Sequence, residues 1–424
     1  MFYPSFKTNA QQLRITDFVL FGGTNSILPG QAACSSPGYA VQLGTSSKIV
    51  GGAIGSYKLV KSTGTATVNA NIYSGGTVIL ANNNTVTGNI TAANVTAQTG
   101  TILSAGSNAN IGGNIDVKGN IVIGGGNVSG IVTHPPGTTY TGPAIGLRNV
   151  IGTPSLPALP QMPAITSFSP YLNMPDINTT RAITPGAYDA IKLPGNKTLT
   201  FNGTGVYIFD EIDNNNSNSF VFDFKNNATG IFKIYIHNNA DLDKINVSMI
   251  NGGNASRIFT EIHGTETYCF KMANGSSSGS STKWLGTVWA PYAAINIGSG
   301  TGNSSITGAL WSGTQVNIQS GVTINYAPFI ECITPNVNAG PDKQLTCTIN
   351  TVQLQGSSTT ANAQYNWSIV NNGNIVSGAN SNSPTINAPG TYVLKVTDAN
   401  GGCFATDTCI VTFVRCILPY YPPD

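Results

Sequence analysis

The chain has 424 residues, of which only 8% are charged, and its net charge is +2. No basic run or stripe occurs, which excludes the electrostatic footprint of a nucleic-acid binder. No stretch approaches the roughly 18 apolar residues of a membrane-spanning helix.

The length allows two or three domains. With 49 glycines and a polar share made mostly of Asn, Ser and Thr, solubility rests on amides and hydroxyls. That balance fits a secreted β-rich protein. The opening Met1-Phe2-Tyr3-Pro4 lacks a basic region followed by an apolar one, so no secretory signal is legible. The expected chain is therefore a processed, extracellular one.

Residues 1–60 carry short apolar runs such as Phe18-Val19-Leu20-Phe21, broken by Gly and Pro. From residue 66 a rhythm sets in: TVNANI (67–72), TVTGNI (85–90), IGGNI (111–115), GNIVI (119–123) and NVSGIV (127–132). Each unit alternates Val or Ile with small polar residues and closes on Gly or Asn. One such strand cannot bury its apolar side alone, but stacked passes form a continuous core. Gly and Asn tolerate the left-handed corners between strands. The reading is a β-solenoid, preferred to a β-sandwich because the units are short and self-similar. Its first part spans 1–133.

Residues 134–185 break the rhythm with His134-Pro135-Pro136 and a run of prolines from Pro143 to Pro185. Proline removes ladder donors, so this segment is expected to be an excursion along the outside or a linker. Leu156, Leu159, Met162, Ile165 and Phe168 give it enough apolar surface to dock. Strands resume over 186–331, with a helix expected near 241–250 (DLDKINVSMI). GTVWAPYAAINIGSG (286–300) and GALWSGTQVNIQSG (308–321) then write one line twice. The repeat predicts two successive passes in register, with Trp289 stacked on Trp311 as a packing ladder.

Five of the seven cysteines fall after residue 331, and none forms a CxxC pair. That favours disulfides and an oxidising compartment over zinc. Candidates are Cys34, Cys269, Cys332, Cys347, Cys403 and Cys416. A Cys347–Cys403 bridge would be worth roughly 4 kcal/mol in the chain-entropy model. Residues 332–416 read as about seven short strands at sandwich spacing, with Trp367 in the core and Tyr392 closing a corner. Residues 417–424 read as a tail or linker.

Chemistry is sparse. His134, His237 and His263 sit in no catalytic motif, and neither a GxSxG nor a phosphate loop is present. No cofactor is implied. Asp210, Glu211 and Asp213, with Asp241 and Asp243, are the candidates for calcium, without the spacing of a known calcium loop. A paired-carboxylate glycosidase is a lesser alternative. Tyr73, Tyr292 and Tyr326 are candidate stacking platforms for a glycan. An ice-binding face would need threonines in one register, which Thr67, Thr85, Thr87, Thr91 and Thr96 do not keep by spacing.

The segment from Gly286 to Phe329, closing on Tyr326-Ala327-Pro328-Phe329, resembles the end of the choice-of-anchor A adhesive domain. GGAIGSYKLV (51–60), GNIDVKGNIVIGGG (113–126), FVFDFKNNATGIFKIYIHNNADLDKIN (220–246) and SRIFTEIHG (256–264) look like the same type of domain in Bacteroidota surface proteins. PNVNAGPDKQLTC, QYNWSIV, APGTYVLKVTDANGGC and TDTCIVTFV (within 335–415) resemble a PKD-like, immunoglobulin-like module. These resemblances imply an all-β protein: a solenoid followed by a sandwich, non-enzymatic, secreted and on the cell surface. Expected partners are a host or matrix protein, a glycan, or the chain itself in a filament.

Overall fold

The computed structural model describes residues 13–23, 39–93, 100–169, 175–214, 216–272, 283–298, 304–330, 335–360, 362–398 and 403–415. The described chain is all-β, with three short 3-10 turns between its strands. It divides into two units, Met1–Phe329 and Ile330–Asp424.

In the first unit nearly every strand pairs in parallel with the strand one pass further along. Thr67 lies beside Thr85, Ile90 beside Ile115, Phe232 beside Ile258 and Trp289 beside Trp311. These ladders build sheets of 17, 11 and 4 strands. The tiers do not follow chain order. The Phe18–Gly22 strand lies between Ser47–Ser56 and Ser305–Ser312, parallel to both. Val41–Leu43 joins Val316–Ile318 to Leu59–Ser62, and Thr323–Tyr326 joins Ser305–Ser312 to Ser47–Ser56. The last passes therefore dock on the first, and this seam falls in the middle of the stack. The stack ends are at Asn149–Ile151 on one side and Gly186–Ala187 on the other, each paired to one neighbour.

Alternation sets the two sides of each strand. On one face Ile306, Ile324, Ile49, Val68, Val86, Ile111 and Val128 stack inward, tier upon tier, and all are buried. The later half fills a wider interior with rings: Phe201 stacks on Phe222 at 4.6 Å, and Phe222 meets Phe232 edge-on at 5.1 Å. Corners are turned by asparagines with left-handed backbone, such as Asn83 and Asn108. Asparagine side chains also tie tiers together. Asn71 Oδ1 accepts from Asn89 N–H, Asn89 Oδ1 from Asn114 N–H, and Asn114 Oδ1 from Ile131 N–H, at 2.7–2.9 Å.

Two expectations are corrected. Residues 241–250 form no helix: Ala240–Leu242 and Ile245–Ile250 are strands separated by a corner at Lys244, whose φ is +52°. Apolar residues on either side of such a corner fall three or four apart and imitate helical spacing. The excursion is also shorter than 134–185, because Val132–His134, Tyr140–Thr141 and Asn149–Ile151 still belong to the ladders and strands resume at Arg181–Ile183.

Residues 152–169 run along the outside. Ser155 N–H donates to Asp116 Oδ1 at 2.9 Å, Tyr57 Oη donates to Pro160 O, and Thr166 N–H donates to Glu261 Oε1 at 2.7 Å. From Asp116 the outward column runs Thr91, Tyr73, Gly55, Phe21, Trp311, Trp289, Glu261. Those seven steps at roughly 4.8 Å span about 34 Å. Eleven residues of polyproline chain at about 3.1 Å each span the same. Pro154, Pro157, Pro160 and Pro163 recur every third residue, as do Leu156, Leu159, Met162, Ile165 and Phe168. A helix of three residues per turn puts each set on one edge.

Among its described residues the second unit has seven strands in a four-stranded and a three-stranded sheet. They enclose one core containing Trp367, Ile386, Tyr392, Leu394 and Val396. Tyr392 Oη donates to Ala388 O at 2.7 Å and accepts from Asn374 N–H at 2.9 Å. Cys347 and Cys403 are disulfide-bonded. Cys269, by contrast, is a free thiol at 0% exposure in the core of the first unit, and burial pushes its pKa up to about 12. It is a packing residue, not half of a bridge. Cys34, Cys332 and Cys416 lie outside the described residues.

Trp289 and Trp311 are register partners, as the repeated lines require, and both are 2% exposed. Trp311 Nε1 donates to Phe18 O at 2.9 Å across the seam. Trp311→Ala is expected to cost about 3–5 kcal/mol, read as a shift in the denaturant midpoint.

Candidate interaction surfaces

The first surface is the outward column under the proline strap. Trp289, Trp311, Phe18, Phe21, Phe259 and Phe329 form a buried cluster there, and Leu159 and Met162 of the strap pack against it. Gly55 leaves room for these rings, because a Cβ would stand 2.4 Å from both Phe18 and Phe21. Phe168 stacks on Tyr235 at 5.0 Å and lies over His263 at 4.4 Å. The polar centre is Glu261, which is 0% exposed. Its Oε1 accepts from Thr166 and lies 2.8 Å from His263 Nε2, while Oε2 and the neighbouring Trp289 Nε1 have no partner among the described residues. A buried carboxylate is costly unless hydrogen-bonded, so this one fixes the strap as well as being fixed by it. Glu261→Ala should raise the rate of limited proteolysis within 155–168 several-fold, whereas Glu261→Gln, which keeps an acceptor for Thr166, should raise it less.

The second surface is the outer side of the Ile/Val column. Ser305, Thr323, Lys48, Thr67, Thr85, Asn110 and Asn127 follow one another tier by tier. Beside them run Thr307, Asn325, Val50 and Asn69. The result is a face of hydroxyls and amides repeating at roughly 4.8 Å, with Lys48 on it and Lys283 beside Ser305 at its edge. Thr67 and Thr85 share a register, but the threonines as a set do not. Thr91 belongs to the column under the strap, beside Tyr73 and Asp116. Thr96 lies outside the described residues.

The acidic candidates are spread over neighbouring tiers. Asp210 accepts from Asn238 Nδ2 at 3.0 Å and sits 3.4 Å from His237 Nδ1. Glu211 pairs with Lys192 at 3.0 Å. Asp213 and Asp241 are direct ladder partners, and Lys271 on the next tier reaches Asp241 at 2.6 Å. Asp243 is partly buried, which raises its pKa. Among the described residues no three His, Cys, Asp or Glu side chains converge on a metal position.

The three tyrosines do not form one platform. Tyr73 is half-buried, with its ring edge-on to Phe18 at 5.8 Å. Tyr292 lies edge-on to His263 at 5.3 Å, and Tyr326 donates from Oη to Thr16 O at the seam.

An acid that composition did not single out is Asp223. It accepts from the Lys225 ammonium at 2.8 Å, Asn251 Nδ2 at 2.8 Å and Lys225 N–H at 2.9 Å. These bonds, the Lys225 ammonium first, lower its pKa from 3.8 to about 2. A lowered folded-state pKa stabilises the fold above the unfolded value and is lost as pH falls through the folded one. The Tm difference between wild type and Asp223→Asn should therefore be largest above about pH 4 and shrink steadily toward about pH 2.

Comparison with protein-family models, curated proteins and solved structures returns no match.

Proposed function

We propose that this chain is a secreted, non-enzymatic bacterial surface protein that works by adhesion. In this reading the first unit is a β-solenoid of the choice-of-anchor A type. The second is a PKD-like, immunoglobulin-like sandwich, a reading supported by its seven strands in two sheets and its Tyr392 corner. Parallel pairing from one pass to the next, around one continuous aliphatic and aromatic core, supports the solenoid reading.

The observation that carries the adhesive role is the hydroxyl and amide face from Ser305 to Asn127. It offers many weak hydrogen bonds on a flat, nearly uncharged sheet, with the side chains held by the ladder beneath them. Such a surface suits a neutral, polyhydroxylated partner such as a glycan, because little ordering entropy is lost on contact and no counter-charge is required. A matrix or host glycan is the partner class this chemistry favours.

The test is binding of the whole chain to a panel of glycans and matrix proteins, with and without Thr67→Glu and Thr85→Glu together. Two like charges on adjacent tiers of that face should weaken binding at least tenfold with little change in Tm. Unchanged binding would remove the face from the account. Replacing Asp210, Glu211 and Asp213 by amides should leave binding as it is. Release of sugar products by the wild-type chain would contradict the non-enzymatic reading.

A further inference from the structure

We propose that copies of this chain stack end to end, the Asn149–Ile151 edge of one copy continuing its ladder onto the Gly186–Ala187 edge of the next. This rests on the reading of the first unit as a stack of passes with two exposed ends.

Among the described residues the edge at Asn149–Ile151 pairs only with Val132–His134. Gly152 N–H donates back to His134 O at 2.9 Å. In a parallel ladder alternate residues bond to alternate sides, so Asn149 and Ile151 direct their backbone groups away from the stack; the Asn149 N–H bonds to Gly146 O, and the Asn149 C=O with the Ile151 N–H and C=O form the open edge. The same end is apolar and exposed: Leu147 is 100% exposed, Ile151 64% and Val150 40%. An unpaired strand edge carrying exposed aliphatic side chains is the feature that soluble β-proteins ordinarily cover or charge. The Gly146–Arg148 turn closes part of this end, with Asn149 N–H on Gly146 O and Arg148 Nη1 donating to Val128 O at 2.7 Å and Gly130 O at 3.4 Å.

The occupant follows from the other end of the same sheet. Gly186–Ala187 pairs only with Gly205–Phe209, runs in the same direction and presents small residues. Val150 and Ala187 terminate one and the same outward column, so a second copy placed there keeps both strand polarity and side-chain register. In that register Asn149 meets Gly186, exposed Val150 meets the small Ala187, and Ile151 meets Tyr188. The contact joins two different surfaces, so it does not close on itself and would propagate as a filament.

The experiment is light scattering and negative-stain microscopy of the full chain over a concentration series, with Leu147→Asp and Ile151→Asp combined as the blocking variant. Both sites are exposed, so the variant should keep the wild-type Tm. The wild type should form rods that lengthen with concentration, and the variant single units. Added in small amounts to wild type, the variant should shorten the rods, because its intact Gly186–Ala187 end still adds on and then stops growth. Single wild-type units at every concentration, or variant rods as long as wild-type ones, would overturn the proposal. Glycan binding measured on the same samples separates this failure from failure of the adhesive reading, since a single unit that still binds loses only the stacking.

Discussion

Everything in the first unit depends on the seam at which the chain's last passes meet its first. Phe18–Gly22 is held on both sides by strands from opposite halves of the sequence, and Thr323–Tyr326 fills the adjoining stretch between the same two strands. Asn317 Nδ2 donates to Asn296 Oδ1 at 2.8 Å, and Gln42 Nε2 donates to Asn317 Oδ1 at 2.9 Å, so an amide ladder crosses the join on the second face. Trp311 and Phe18 do the same on the first. Each bond is worth on the order of 1 kcal/mol, but together with the buried rings they let one ladder run through a break in the chain.

That arrangement dictates the rest. If the middle of the stack is made of the beginning and end of the unit, the middle of the sequence must connect the two far ends. The connection has to run the length of the stack, which explains why a proline-rich segment stands there. Polyproline chain is stiff, needs no ladder partner and rises about 3.1 Å per residue, so it covers the span with few residues and little entropy to lose. It also shields the aromatic column, which would otherwise be a large exposed apolar surface. The strap leaves the hydroxyl and amide face and the two ends uncovered, the surfaces proposed for adhesion and stacking.

Much of this was legible in the sequence. The doubled line around Trp289 and Trp311 gave their register, because equal pass lengths make identical residues fall on one another. The strict alternation of Val68, Val86 and Ile111 with Thr67, Thr85 and Asn110 gave the inside and outside of each strand. The order of the tiers was hidden, since pairing between Gln42 and Asn317 leaves no local trace in either segment. Pass length varies, because the asparagine bonds on successive corners span 18, 25 and 17 residues, so threonine spacing alone shows which residues pair only here and there, as at Thr67 and Thr85. The strap carries its own signal. Leu156, Leu159, Met162, Ile165 and Phe168 keep a period of three, which matches neither helix nor strand and is the mark of a docked polyproline segment.

The seam is best tested by a cross-link that no other chain path would permit. Gln42 and Asn317 are ladder partners 275 residues apart. Replacing both by cysteine places two thiols on the outer side of neighbouring strands, within the Cα separation of roughly 4.4–6.8 Å that a disulfide accepts. Mild oxidation of the single unit should yield an intramolecular bond between positions 42 and 317, found by peptide mapping, with an unchanged hydrodynamic radius. Two freely reactive thiols under the same conditions, with no such linked peptide, would contradict the closure of the last passes onto the first.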